Sequence, residues 1–223
     1  MLTGLGAIVG LDFVSFPQAM VSRPVVAATL GGALCGNTAA GLLVGILLEC
    51  FALETMPFGA SRYSEWGPAS VAAGVVAAVP GGDPETSARI VPLAVVAGLG
   101  AAMLGGRSLI WLRKFTLSVA VRRRDEIAAG DAAAILGLQW TGLVVDFLRA
   151  GVLTTVFVLV LVPTRNVVLA VSSGSGAPAV AVAATLAVGV AGSALWKVVH
   201  TTRGYAWWMI AGVLIGGLAA ALR

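Results

Sequence analysis

Between Pro24 and Leu53 the chain reads PVVAATLGGALCGNTAAGLLVGILLECFAL, an apolar run whose only charge is Glu49. A helix that crosses a bilayer needs about 20 apolar residues. This run is too long for one such helix, and it is interrupted at Gly31-Gly32, Gly36-Asn37-Thr38 and Gly41. The spacing predicts a helical hairpin or a pair of half-length helices. Non-helical backbone at membrane depth persists only where protein or a water-filled cavity satisfies its polar groups. The break therefore points to function.

The rest of the chain puts that run in a membrane. Of its 223 residues 59% are hydrophobic and 11% charged, with a mean hydropathy of +0.99; an average soluble domain carries about 25% charged residues. A water-facing globule could not cover its surface with so few polar groups. The composition predicts a single integral-membrane domain, 1–223, all-α and polytopic, with broken or re-entrant helices. Further apolar runs lie at 68–80, 88–112, 132–163, 178–196 and 204–222, after an opening run from Leu2 to Met20. No Lys or Arg precedes that opening run, so it is expected to be a first membrane segment and not a secretory signal. Cys35 and Cys50 sit in apolar sequence with no disulfide or metal-ligand spacing.

Lys and Arg total 14 against 10 Asp and Glu, a net charge of +4, but the excess is concentrated in short stretches, which argues against a nucleic-acid partner. Arg113, Lys114 and Arg122 to Arg124 form the densest cluster, within a basic segment 113–126, and Lys197 and Arg203 form another. Both are expected to be cytoplasmic. Arg165 is expected in a connection on the opposite side. Phe115 to Ala129 suits a helix lying at the interface. The polar hairpins then occupy 1–80 and the C-terminal spans 132–222, a rhythm that leaves room for a degenerate inverted repeat. Gly41/Gly45 and Gly212/Gly216 permit close helix approach.

No phosphate-binding glycine loop and no Cys/His cluster is present, and no cofactor is implied. His200, the only histidine, lies between basic residues at a helix end and reads as an ordinary interfacial side chain. Trp196, Tyr205, Trp207 and Trp208 read as an aromatic belt. What remains is a concentration of polar groups in the first third: Asp12, Gln18, Arg23, Asn37, Glu49, Glu54, Arg62 and Glu65. Ionisable groups at membrane depth cost about 2.5 to 3.5 kcal/mol each on insertion scales, so several together imply a polar cavity. Glu49 is the deepest in apolar sequence, and Glu54 follows about 140° further around a helix. The stretch TMPFGASRYSEWGPAS, Thr55 to Ser70, forbids continuous helix through Pro57, Gly59, Gly67 and Pro68, with Gly67 at the cap and Pro68 in the first turn of a new helix. Trp66 beside Glu65 is the pairing of a carbohydrate site. Asp146 and Arg149 share a helix face and are expected to pair with each other or with another subunit.

The run from Gly10 to Gly74 resembles the membrane IIC component of the mannose, fructose and sorbose family of phosphoenolpyruvate-dependent sugar phosphotransferase systems. The similarity lies in Arg23-Pro24 before a small-residue run, the turn from Gly36 to Gly41, the core from Gly45 to Glu49, the loop from Met56 to Ala60, and Glu65 shortly after. It implies an α-helical permease subunit in a bacterial inner membrane. It also implies a related IID-like membrane subunit, assembled with this one as trimers of heterodimers, and a cytoplasmic IIB (and IIA) phosphocarrier that supplies the phosphoryl group. Asn37 stands where family members usually carry Asp.

On these residues the expected activity is translocation of a hexose-type sugar, held by Glu49, Gln18, Asn37 and Glu65, with Glu54 as an addition and Arg23 orienting a carboxylate. A proton-coupled carrier or exporter using Glu49 and Glu54, or a non-transporting membrane scaffold, is the alternative that the residues leave open.

Overall fold

The structure is a computed structural model and describes residues 1–54, 64–78, 84–171 and 176–200, with 204, 207, 208, 210–212, 214 and 215. These residues form the helices α1 (Leu2–Val14), α2 (Pro24–Leu34), α3 (Thr38–Glu54), α4 (Trp66–Ala77), α5 (Pro84–Arg122), α6 (Arg124–Ala128), α7 (Ala132–Val171) and α8 (Ala177–Val199). No strand occurs among the described residues. The chain is an all-α membrane protein: α5, α7 and residues Ala177–Trp196 of α8 are long and apolar enough to cross a bilayer, whereas α1 to α4 are apolar but shorter.

The long apolar run is indeed a hairpin, and its turn follows from three residues. Pro24 opens α2 behind an extended Arg23, where its missing N–H costs nothing. Gly36 adopts φ +82°, the left-handed step that ends a helix and that a glycine takes without a Cβ clash. The Asn37 N–H then reaches back to the Gly32 carbonyl at 3.0 Å, and the Asn37 side-chain Oδ1 accepts the Ala40 N–H at 3.0 Å, capping α3. The expected interruptions at Gly31-Gly32 and Gly41 do not occur; these residues are helical. They serve contact instead. A Cβ on Gly32 would fall 2.7 Å from the Gly41 Cα, and one on Gly45 2.9 Å from the Pro24 carbonyl, so α2 and α3 meet backbone to backbone.

At the centre stands α4, with every residue from Trp66 to Ala77 buried. A Cβ on Gly74 would collide with the Ala28 carbonyl of α2, and one on Gly67 would lie 2.9 Å from the Val9 carbonyl of α1. Gly67 and Pro68 are inside this helix, whose N-cap is Glu65. Twelve residues rise only about 18 Å, so both ends lie within the body and their backbone groups need protein partners. At the C-terminal end, Arg165 Nη1 donates to the carbonyls of Val75 and Ala78 at 3.4 and 3.3 Å. Arg165 is therefore not a loop charge, as expected from sequence, but a buried cap inside α7.

The body is closed by antiparallel α1 and α7, where the hydroxyls of Thr3 and Thr155 meet at 2.8 Å and Gly6 and Gly10 rest on Thr154 and Ala150. α5 runs unbroken through Phe115 to Arg122 and turns only at Arg123, so the expected separate interfacial helix is the distal end of a long one. With α6 and the start of α7, which Asp131 caps by accepting the Ala133 N–H at 2.9 Å, it makes a helical arm.

Candidate functional site

The polar residues of the first third fall into two ion-paired groups joined by the connection 15–23. In the first, Arg23 Nη2 pairs with Glu49 Oε1, and Glu49 Oε2 accepts the Val25 N–H at 3.2 Å. Glu49 projects from the middle of α3 onto the first turn of α2, where free N–H groups and the helix dipole favour a negative charge. The pair is not sealed: the Arg23 and Glu49 side chains remain 31% and 22% exposed. Water or a ligand hydroxyl can reach the carboxylate.

The second group is dry. Arg149 Nη1 lies 3.0 Å from Glu65 Oε2, and Arg149 Nη2 lies 2.6 Å from Asp146 Oδ1. Arg149 also donates through Nη1 to Ser108 Oγ at 2.8 Å, and Ser15 Oγ donates to Asp146 Oδ2 at 2.5 Å. The Glu65 N–H donates to the Ala102 carbonyl at 2.9 Å. One guanidinium thus serves carboxylates from the start of α4 and from α7, while Ser15, the residue that ends α1, and Ser108 of α5 each contribute a hydroxyl. Glu65 and Asp146 are fully buried. Trp66, 5% exposed, is part of the core and faces no open space.

Asp12 organises the connection between the groups. It is 3% exposed, and its two oxygens accept the N–H groups of Ala19 at 2.5 Å and Ser22 at 2.8 Å. Gln18 and Met20 take φ values of 59° and 63°, a left-handed backbone that non-glycine residues seldom adopt unless surrounding structure holds them there. The result is a fixed loop that presents Gln18 at the surface a few residues before Arg23, with Phe16 and Met20 at 68% and 73% exposure.

Of the residues expected from sequence, the structure brings Arg23 and Glu49 into contact and sets Gln18 in the loop that Arg23 ends. Glu65 is held apart from them by Arg149. Asn37, the cap before α3, stands 12 residues ahead of Glu49, about 18 Å along the helix axis, where its Nδ2 donates to Ser87 Oγ at 3.1 Å. The side chain of Glu54, Arg62 and the loop from Met56 to Ala60 lie outside the described residues. Sequence reasoning passed over Asp12 as an organiser and Ser108 and Ser15 as partners of the buried cluster. The i,i+3 spacing of Asp146 and Arg149 signalled a pair, but nothing local signalled that Glu65 completes it.

Comparison with known proteins places this architecture. No curated protein matches the chain significantly. A solved structure described as that of a membrane protein superposes with a TM-score of 0.70 over 99% of this chain and 92% of its own, at 18% identity; the likeness is one of fold. The profile of the family described as the sorbose-specific IIC component of the phosphotransferase system matches residues 1–168. The chain belongs to that family, the mannose, fructose and sorbose type of IIC component, whose members are sugar-transporting membrane subunits of the phosphotransferase system.

Proposed function

We propose that this chain translocates a hexose-type sugar across a bacterial inner membrane and delivers it for phosphorylation by a cytoplasmic IIB subunit. The observation that carries the reading is the accessible Arg23–Glu49 pair, set between half-length helices in a membrane body. A carboxylate whose position is fixed by Arg23 and the Val25 N–H keeps lone pairs free to accept from sugar hydroxyls, which have shed water on entering the protein. Gln18, with both donor and acceptor atoms on a fixed loop, complements it. Glu54, five residues on from Glu49 in the same helix, is a further candidate ligand, whereas Glu65, buried against Arg149, acts from the interior. In this reading Asn37 contributes through the hairpin turn.

The phosphoryl group passes from a phosphohistidine on IIB to a sugar hydroxyl: the P–N bond breaks, an O–P bond forms and the hydroxyl proton is released. This chain supplies the sugar's position. A IID-like subunit completes the membrane portion, in trimers of heterodimers, and IIA recharges IIB.

The test is uptake of radiolabelled hexoses into membrane vesicles that contain this chain together with a IID-like membrane subunit and IIA and IIB phosphocarriers. Accumulation of sugar phosphate that requires phosphoenolpyruvate is the expected result. Uptake of unmodified sugar driven by a proton gradient would overturn the coupling to phosphorylation, and no uptake of any hexose would overturn the transport reading.

A further inference from the structure

Along α5, Gly100, Met103, Leu104, Arg107, Trp111 and Lys114 recur at helical spacing and fall on one face. The lower half of this face borders a cleft of about 610 Å³, lined by Met103, Leu104, Gly106, Arg107 and Ile110, with Ser64 across from them. Its side chains open outward: Met103 is 69% and Leu104 54% exposed. Arg107 is part of its lining. One turn further, Trp111 stacks on Phe115 with ring centroids 5.7 Å apart, and Lys114 follows.

Depth decides what such a face meets. α5 is long and apolar enough to cross a bilayer, and towards its C-terminal end this face passes from the exposed apolar Met103 and Leu104 to Arg107, Trp111 and Lys114. Indole rings favour the boundary between acyl chains and headgroups. Charge decides the class of headgroup. After Glu85, α5 carries no acidic residue as far as its end at Arg122, and the nearest buried carboxylate, Glu65, is committed to Arg149. Arg107 and Lys114 are about 10 Å apart along the axis, a separation that two long side chains can close around one phosphate.

We propose that this face binds an anionic phospholipid, with its phosphate between Arg107 and Lys114 and one acyl chain in the cleft beside Gly100 and Leu104. The occupant is a bilayer lipid and not a soluble phosphate, because the cleft beside Arg107 is lined mostly by apolar residues, Met103, Leu104 and Ile110 among them. The cleft adjoins the entry to α4 through Ser64, but Gly100, Arg107 and Lys114 are not among the residues assigned to the sugar, so lipid preference and sugar uptake are read separately.

The test uses the purified full chain in neutral detergent, titrated with phosphatidylglycerol brominated on its acyl chains and with the matching phosphatidylcholine. Bromine quenches nearby indole fluorescence, and the difference from Trp111→Phe isolates the share of Trp111. With about 1 kcal/mol for each cation near an anionic lipid surface, phosphatidylglycerol is expected to half-quench Trp111 at a concentration at least about tenfold lower than phosphatidylcholine. The double variant Arg107→Gln, Lys114→Gln should bring the two lipids within about twofold. Gly100→Leu, at a position where a Cβ meets nothing within 4 Å, should weaken both by filling the cleft. Soluble glycerol phosphate should not displace the lipid. Equal quenching by both lipids, a preference that survives the double variant, or displacement by glycerol phosphate would each overturn the proposal.

Discussion

Arg149 and Glu65 meet at 3.0 Å in the interior, the guanidinium 5% and the carboxylate 0% exposed, although one lies in α7 and the other at the entry to α4. The contact is the price of starting a helix inside the protein: the chain must enter α4 from somewhere, and here it brings a carboxylate with it. Removing Arg149 would strand two buried carboxylates. Arg149→Met is expected to destabilise the protein by about 3–5 kcal/mol, whereas adding Glu65→Gln and Asp146→Asn to it should restore most of the loss. Thermal unfolding in detergent reads both; a triple variant no more stable than the single one would mean that the cluster does not act as a unit.

Glu49→Gln keeps the shape of the side chain and an acceptor for the Val25 N–H but removes the charge that faces Arg23. Hydrogen bonds to charged groups contribute about 1.5–3 kcal/mol. Sugar uptake at subsaturating concentration is expected to fall by about 10- to 100-fold with little change in the amount of folded protein. Undiminished uptake would take Glu49 out of the sugar site.

Asn37 separates a capping role from a ligand role. Asn37→Ala should cost about 1 kcal/mol of stability through loss of the cap, and Asn37→Asp, an equally good cap, should cost little. Both should leave the apparent sugar affinity where it was. A shift in affinity without loss of stability would return Asn37 to the binding site.

Gly74 and Gly142 make a matched contrast within helices. A Cβ at Gly74 collides with the Ala28 carbonyl, and one at Gly142 meets nothing within 4 Å. Gly74→Val should reduce the yield of folded protein, with a cost of at least about 1–3 kcal/mol. Gly142→Ala should be neutral or stabilising by up to about 1 kcal/mol, because alanine is the better helix former. Size-exclusion profiles and melting temperatures in one detergent compare the two.

Much of the fold was legible in the sequence, for local reasons. The turn at Cys35 to Asn37 could be anticipated because a left-handed glycine followed by an Asn cap is a one-dimensional signal. The spans could be anticipated because hydropathy is a sum over neighbours in the chain. Glycine elsewhere misled: at Gly31, Gly32 and Gly41 the same residue type marks contact between helices, and nothing local distinguishes that use from a break. The arm was missed because Phe115 to Val121, mostly apolar and poor in strong helix formers, runs directly into Arg122 to Arg124, a pattern that also fits an interfacial segment. In the candidate site, Arg23 with Glu49 was accessible as a guess at pairing. Arg165 on the carbonyls of α4, and Glu65 on Arg149, depend on where a twelve-residue helix ends in space, which no spacing encodes.

The enclosure of α4 also constrains how the protein can move. Its backbone touches α1 through Gly67 and α2 through Gly74 with no side-chain cushion between them, and both of its tips are fastened to α7, by Arg149 and by Arg165. A rod gripped in this way cannot slide or rotate alone. Any displacement during the working cycle must carry it together with a neighbour as one solid piece.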